Sequence, residues 1–325
     1  MSKAPKPLKG ALIASRRLYL SPLWWFGGCL LLFFSSCNYF KQSGSQTGDN
    51  ASHIDSITVY CDEAFKYLID QEIQIYEFEQ PDKHIHVVYA PESEVLKRLL
   101  TDSFTTVIIG RSLREQEKKD MLKLSNLQAE EHTFATDAVA IIANRALDRD
   151  TIPYDEVLSL LSARSNKYDL VFEGNGSGVV SYMFSQIAHT SLRPSAYAAK
   201  NTTELLSYLQ KDKKGVGFIP FDRISGENDT AARSLLKKVK VLYVSRPDSI
   251  GRIVVSTASQ SEIADGSYPF DRPITLISHS MELKVGTGFV NFLNREQSGR
   301  IILKSGLVPV IMPQRIINVS TDQIK

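Results

Sequence analysis

The sequence predicts an α/β fold, in which sheets of β-strands are flanked by helices. Two observations lead to this prediction. Short runs rich in β-branched and aromatic residues alternate with segments whose apolar residues recur at helical spacing, along most of the 325-residue chain. No segment repeats at a fixed period, so the sequence excludes a solenoid. A hydrophobic fraction of 43% is ample for one large domain or for two lobes.

The alternation is clearest in the first part of the folded region. Three runs are predicted as strands, at residues 57–60, 85–89 and 105–109. The segments between them, 64–78 and 92–100, carry apolar residues at helical spacing, and Pro81 follows the first helix. Strand, helix, strand, helix, strand is the pattern of a parallel sheet with helices on both faces.

The later part of the chain continues the alternation with different spacing. Its predicted strands are 138–143, 168–172, 215–219, 239–244 and 274–277. Its predicted helices are 154–161, 177–189, 202–209, 288–293 and 297–305.

The N-terminal segment predicts export. A basic stretch contains Lys3, Lys6, Lys9, Arg16 and Arg17, and an apolar run from Leu18 to Phe34 leads to Phe34-Ser35-Ser36-Cys37. This order is typical of a secretory signal peptide. The segment also resembles the signal of bacterial lipoproteins, which implies cleavage after residue 36 and a lipid, palmitate included, on Cys37. The alternative is an uncleaved anchor, but a membrane span needs ~20 apolar residues and this run contains Pro22.

After cleavage, the polar and small residues that follow predict a flexible tether over 37–55. The loss of five basic residues would leave a slightly negative mature chain, and no basic patch predicts binding to nucleic acid. Of three cysteines, Cys29 lies in the signal, and Cys61 alone remains beside Cys37. We therefore expect no internal disulfide and a buried, inert Cys61.

No pattern of residues predicts catalysis. The six histidines lack metal-ligand spacing, and the glycines around Ser177 do not form a nucleophile elbow. We therefore expect no enzyme activity, no metal and no cofactor.

The turn 173–179 joins a predicted strand to a predicted helix and is rich in glycine. Such a turn lets backbone N–H groups at the helix start approach an anion, with help from the helix dipole. Its candidate ligand-binding residues are Asn175, Gly176, Ser177 and Gly178. The alternative is an ordinary tight turn in which Ser177 is an N-cap.

Other loops follow predicted strands and belong at the same edge of a parallel sheet, where ligands bind. Their candidate ligand-binding residues are Asp62, Arg111 and Ser112. Two further candidates lie elsewhere: Ser93 near the start of the predicted helix 92–100, and Asp137 directly before the predicted strand 138–143. A guanidinium such as that of Arg111 matches an oxyanion bidentately. Three of these residues have an alternative role: Asp62 could favour a helix start, Arg111 could pair with Glu115 or Glu117, and Asp137 could bond backbone at a hinge.

Several segments from Ile57 to Val310 resemble the phosphate-binding proteins of bacterial phosphate ABC importers. These segments are Ile57 to Pro91, Asn175-Gly176-Ser177-Gly178, Gly215-Val216-Gly217-Phe218-Ile219, Tyr268-Pro269-Phe270-Asp271-Arg272-Pro273, Phe289 to Leu293, Gln297-Ser298-Gly299 and Gly306-Leu307-Val308-Pro309. The resemblance covers nearly all of the mature chain. It implies the type II periplasmic binding-protein fold, with two lobes and two hinge crossovers.

On this resemblance, lobe 1 comprises residues 56–135 plus 273–325 and lobe 2 comprises 136–272. The implied protein is a monomer that faces the periplasm, binds phosphate or a similar oxyanion, and delivers it to ABC permease subunits. The pocket departs from the family pattern, because Glu173 replaces an arginine and Val179 a threonine. A lipid-anchored interaction or sensory protein with a degenerate cleft is the alternative.

Overall fold

The computed structural model describes residues 55–102, 105–126, 128–174, 176–187, 196–226, 230–279 and 284–314. The chain divides into two compact units, Met1–Asp49 and Asn50–Lys325, and all of these residues belong to the second. The predicted lipid site Cys37, most of the tether and Asn175 lie outside the described residues. Within those ranges, no helix combines the length and apolar character that a membrane span requires.

Thirteen strands are formed by the described residues. They are β1 (Asp55–Asp62), β2 (Lys83–Ala90), β3 (Thr106–Ile109), β4 (Glu130–Asn144), β5 (Thr151–Pro153), β6 (Asp169–Glu173), β7 (Tyr197–Ala199), β8 (Gly215–Pro220), β9 (Val239–Val241), β10 (Tyr243–Pro247), β11 (Ile253–Ser256), β12 (Asp271–Ser278) and β13 (Val308–Pro309).

Eleven α-helices accompany them within the same residues. They are α1 (Lys66–Glu79), α2 (Glu92–Thr101), α3 (Glu115–Ser125), α4 (Tyr154–Leu161), α5 (Gly178–Ser185), α6 (Thr202–Lys211), α7 (Asp222–Ser225), α8 (Thr230–Lys238), α9 (Gln260–Ala264), α10 (Lys284–Leu293) and α11 (Glu296–Lys304). A 3-10 turn at Glu63–Phe65 precedes α1.

The main sheet has the strand order β2-β1-β3-β12-β4-β8-β6-β7. Strands β2, β1 and β3 are parallel to one another, and so are β8, β6 and β7. Strand β12 runs antiparallel to β3, β4 runs antiparallel to β8, and β12 and β4 are antiparallel to each other. We call β2, β1, β3, β12 and the N-terminal part of β4 the first half-sheet. The second half-sheet consists of the C-terminal part of β4 with β8, β6 and β7.

Strand β4 joins the two half-sheets because it is 15 residues long. Its first part pairs with β12 through residue 138, and its last part, from Val139 to Ala143, pairs with β8. Residues 138–143 are fully buried, which accounts for their unbroken apolar sequence. The chain crosses between the half-sheets within β4 and again at the start of β12.

Aromatic and aliphatic side chains fill the core on both half-sheets. In the second half-sheet, Phe172 of β6 stacks on Phe218 of β8 with ring centroids 4.8 Å apart. In the first, Tyr76 of α1 meets Phe289 of α10 edge-on at 5.4 Å. Cys61 is fully buried in β1 and carries a free thiol, as predicted.

Three predicted elements differ from those in the structure: one is split in two, and two are present with different bounds. The run 239–244 is two strands in different sheets, β9 against β4 and β10 against β5. Strand β4 begins at Glu130 and not at 138. The apolar pattern does not indicate its first residues, because most of them are polar and not all of them are fully buried. The helix predicted for 177–189 ends as α-helix at Ser185.

Candidate functional site

Loops from both half-sheets converge at the N-terminus of α5. On one side lie Asp62, at the end of β1, and Glu92 and Ser93, at the start of α2. On the other side lie Ser177 and Gly178, where the chain leaves β6 and enters α5. The ends of parallel strands meet at one edge of a sheet, so this convergence follows from the topology.

The hydroxyl of Ser177 is free at the start of α5. Ser177 takes the N-cap position in extended backbone conformation, but its side chain makes no capping hydrogen bond. Its Oγ atom is buried and has no hydrogen-bond partner among the described residues. The first N–H groups of a helix also lack intrahelical partners. The ordinary N-cap interpretation of Ser177 therefore accounts for its position but not for its hydroxyl.

Two glycines let the opposing loops come this close. The Ser93 N–H donates to the Gly176 carbonyl at 3.1 Å, and Gly176 has a φ of 99°, which favours glycine. At Gly178, a Cβ atom would collide with Asp62 Oδ2 and would lie 2.8 Å from Glu92 Oε2 and 3.2 Å from Arg272 Nη1. The glycine in the predicted Gly-Ser-Gly turn is thus required by the carboxylates that face it.

Asp62 both caps a turn and faces the N-terminus of α5. We call the place where Asp62, Glu92 and Ser93 meet Ser177 and Gly178 the cleft. Its Oδ1 accepts from the Ala64 N–H at 3.1 Å, which fits the alternative role predicted for it. Its Oδ2 is buried and has no hydrogen-bond partner among the described residues. Burial, reinforced by the Glu92 carboxylate, raises the pKa of Asp62 to about 7, although the Arg272 guanidinium opposes this shift.

Arg272 and Asp137 clamp the two crossover strands. The two residues are directly paired in the register of β12 and β4, and both side chains are fully buried. Arg272 Nε and Nη2 donate to Asp137 Oδ2 at 3.0 and 2.8 Å. Arg272 Nη1 has no partner among the described residues and points towards Gly178. Asp137 therefore bonds a cation at the crossover, and not backbone alone.

Arg111 is held by carboxylates of α2 and α3. Its Nε donates to Glu92 Oε1 at 2.8 Å, and its Nη1 and Nη2 donate to Glu117 at 2.8 Å each. The predicted alternative, a pair with Glu117, is what the structure contains, although Arg111 is buried and not at the surface. Arg111 thus reaches the convergence point only through Glu92. Ser112 is exposed and engages Arg111 through its carbonyl.

A second group of charges lies behind α5 at the ends of β6 and β8. Glu173 accepts from Thr202 Oγ1 at 2.8 Å, and Arg223 Nη2 lies 3.9 Å from the same carboxylate oxygen. Burial and the Asp137 carboxylate raise the pKa of Asp222 to about 7, while Arg223 opposes this shift. This group places three ionisable side chains near the Arg272–Asp137 pair.

The structure thus brings together five predicted residues, namely Asp62, Ser93, Gly176, Ser177 and Gly178. Prediction from sequence missed Glu92 and Arg272, although Arg272 stands in the Tyr-Pro-Phe-Asp-Arg-Pro segment. The arrangement offers hydroxyl, amide and guanidinium donors to an anion, beside carboxylates that accept hydrogen bonds. Among the described residues, no cluster of three or more His, Cys, Asp or Glu could hold a metal ion.

Comparison with known proteins agrees with this architecture. The family described as PBP superfamily domain matches residues 44–296. The phosphate-binding protein PstS of Staphylococcus saprophyticus is 24% identical over 213 residues, which cover 61% of this chain. The match spans 63% of the length of that relative.

Solved structures show the same fold. A phosphate ABC transporter substrate-binding protein from Clostridium perfringens, solved with bound phosphate, has a TM-score of 0.61 at 17% identity, covering 79% of this chain and 100% of that one. An ABC-type phosphate transport receptor from Vibrio cholerae has a TM-score of 0.62 at 17% identity, covering 78% and 99%. The chain belongs to the PBP superfamily, and its fold is that of the type II periplasmic binding proteins.

Proposed function

We propose that this protein is an extracytoplasmic solute-binding lipoprotein that captures an oxyanion for an ABC importer. Phosphate is the oxyanion that we propose as its ligand. One observation carries the proposal: the Ser177 hydroxyl at the start of α5 is buried without a hydrogen-bond partner among the described residues, and Arg272 Nη1, which also has none, lies against the adjacent Gly178. Helix N-termini with hydroxyl and guanidinium donors bind oxyanions without covalent chemistry. The names of the PstS relative and of the phosphate-bound structure support phosphate as the ligand.

The proposed mechanism is closure of a clamp. Lobe 1 would be residues 56–135 plus 273–325, and lobe 2 would be residues 136–272. The hinge would lie where β4 and β12 cross between the half-sheets, next to the Arg272–Asp137 pair. Closure would bring the Ser93 N–H to the Gly176 carbonyl and would bury the anion between α2 and α5.

The proposed setting is the periplasmic face of a bacterial membrane. A lipid on Cys37 and the tether over 37–55 would hold the monomer near ABC permease subunits, which would receive the anion. Binding and release suffice for this role, so we propose no catalytic residue and no cofactor.

Calorimetry on the full-length protein in detergent tests the proposal, with phosphate, sulfate and molybdate as probes. We expect heat of binding with phosphate and its loss in Ser177→Asp, because a carboxylate at the helix start would occupy the place of the anion. Ser207→Asp is the matched control, because Ser207 lies on the exposed side of α6. Absence of heat with all three anions would refute oxyanion capture.

A second candidate function rests on the acidic character of the cleft. Asp62, Glu92 and Glu173 each have a buried carboxylate oxygen with no hydrogen-bond partner among the described residues. Such a cleft would suit a lipid-anchored sensory or interaction protein that has lost tight binding. If a Ser177→Asp, Arg111→Ala double variant keeps full function in cells, anion binding in the cleft is not required for function and this candidate is favoured.

A further inference from the structure

Two carboxyl groups meet at the place where the anion would bind. Asp62 Oδ2 and Glu92 Oε2 both lie against Gly178. A Cβ atom at this position would collide with the first oxygen and would lie 2.8 Å from the second, so the two carboxyl groups are neighbours. Both side chains are fully buried, and neither oxygen has a hydrogen-bond partner among the described residues. Two ionised carboxylates this close and this buried repel each other strongly.

A single guanidinium nitrogen faces this carboxyl pair. Arg272 Nη1 would lie 3.2 Å from a Gly178 Cβ and 2.9 Å from a Gly110 Cβ, so it sits between the two glycines. The other two nitrogens of Arg272 are bound to Asp137. Arg111, the cation expected from the sequence, is bound to Glu92 and Glu117. At Gly178, therefore, the unpartnered cationic donor of the described residues is Arg272 Nη1.

Charges on every element around Asp62 bear on its protonation. The carboxylates of Glu92 and Glu63 favour the protonated form, together with burial, whereas the Arg272 guanidinium and the Ala64 N–H favour the ionised form. Arg111 binds Glu92 from the loop after β3, Asp137 binds Arg272 from β4, and α5 contributes its N-terminal turn without a charged side chain. An incoming oxyanion would add one more negative charge to this balance.

We propose that Arg272 Nη1 makes the ionic contact with the oxyanion and that binding draws in one proton, which Asp62 takes up. This inference rests on the proposed function. The proton removes the Asp62 charge that would lie between the Glu92 carboxylate and the anion, and it leaves the Glu92 carboxylate as an acceptor for a hydroxyl of the anion. Capture is therefore favoured at acidic pH, and the ionised carboxyl pair competes with the anion at alkaline pH.

Calorimetry with inorganic phosphate on the full-length protein tests this inference, at about pH 6, 7 and 8 and in two buffers of different ionisation enthalpy. For the wild type we expect proton uptake that is small at about pH 6 and approaches one proton at about pH 8, with affinity that falls roughly five- to tenfold from about pH 7 to about pH 8. Phosphate itself loses a proton in this range, so the variants Asp62→Asn and Glu92→Gln isolate the contribution of the protein. Both should bind with less proton uptake and with a flatter pH profile.

Glu72→Gln is the matched control, because it also removes a buried acid with a raised pKa, but between α1 and α11 and away from the cleft. Its pH profile of phosphate binding should equal that of the wild type. If the wild type and Asp62→Asn bind phosphate with identical pH profiles and proton uptake, the inference is wrong while the proposed function stands. If neither binds phosphate at any pH, the proposed function itself fails.

Discussion

Two buried acidic sites in this protein differ in what surrounds them. Asp62 and Glu92 lie where α2, α5 and β12 converge, beside the Arg272 guanidinium and the helix N-terminus at Gly178. Glu72 lies on α1 near Ser298 of α11 and is equally inaccessible, but neither of its carboxylate oxygens has a hydrogen-bond partner among the described residues. Burial raises the pKa of both Asp62 and Glu72. What distinguishes the cleft is therefore its set of donors, and not burial alone.

The largest effect we expect follows from the clamp beside the cleft. Arg272→Met would leave Asp137 buried and unpaired, so the free energy of unfolding should fall by about 3–5 kcal/mol, as measured by urea denaturation. Lys66→Ala is the control, because the Lys66–Asp70 pair is exposed and its removal should change stability little. Equal stability of Arg272→Met and the wild type would show that the pair does not hold the crossover strands together.

The next effect concerns the room at the start of α5. Gly178→Ala should weaken phosphate binding by about 100-fold or more, because the added Cβ would collide with Asp62 and displace the cleft loops. Gly288→Ala is the matched control: its Cβ would meet Tyr76 Oη at 2.7 Å, so it overpacks the fold far from the cleft. Undiminished phosphate affinity in Gly178→Ala would mean that the anion does not bind at this turn.

The isolated acid gives a prediction about stability and pH. Burial raises the pKa of Glu72 to about 8, above its value in the unfolded chain, so the native state holds a proton that the unfolded state releases. The wild type consequently loses stability as the pH rises from about 4.5 towards 8. Glu72→Gln should be more stable than the wild type by roughly 4 kcal/mol at about pH 8 and by less than about 1 kcal/mol at about pH 5. A stabilisation independent of pH would contradict this.

The smallest effect separates a binding hydroxyl from a capping one. Ser177→Ala should weaken phosphate binding by about 1 kcal/mol and leave stability almost unchanged, because the hydroxyl caps nothing. Asn201→Ala should do the reverse: Asn201 Oδ1 accepts from the Glu204 N–H at the start of α6, so its loss should cost about 1 kcal/mol of stability and no affinity. A stability loss in Ser177→Ala would favour the ordinary N-cap interpretation.

The sequence predicts the fold largely through local patterns. The runs that became β1, β2, β3, β6 and β8 are strands of the main sheet, and α1, α2, α4 and α6 lie close to their predicted positions. The run 239–244 misled because both of its parts are β-rich, while the change of sheet at Leu242 depends on partners far along the chain. Helix α3 has little apolar surface and was not predicted.

The candidate site was only partly predictable, for a related reason. The glycine-rich turn can be recognised from the sequence because the strand, the glycines and the helix are contiguous. The pairing of Arg272 with Asp137 depends on the register of two strands 135 residues apart, which no local pattern encodes. Arg111 was a reasonable candidate cation, but whether it meets Glu117 or a ligand is decided by how α3 packs.

A crystal structure of the protein grown with phosphate would test the account most directly. We predict phosphate oxygens about 2.7–3.1 Å from Ser177 Oγ, the Gly178 amide nitrogen and Arg272 Nη1, with a protonated oxygen facing Asp62 or Glu92. Phosphate bound elsewhere, or a cleft in which Asp62 and Glu92 stay against Gly178 at saturating phosphate, would contradict oxyanion capture at the start of α5.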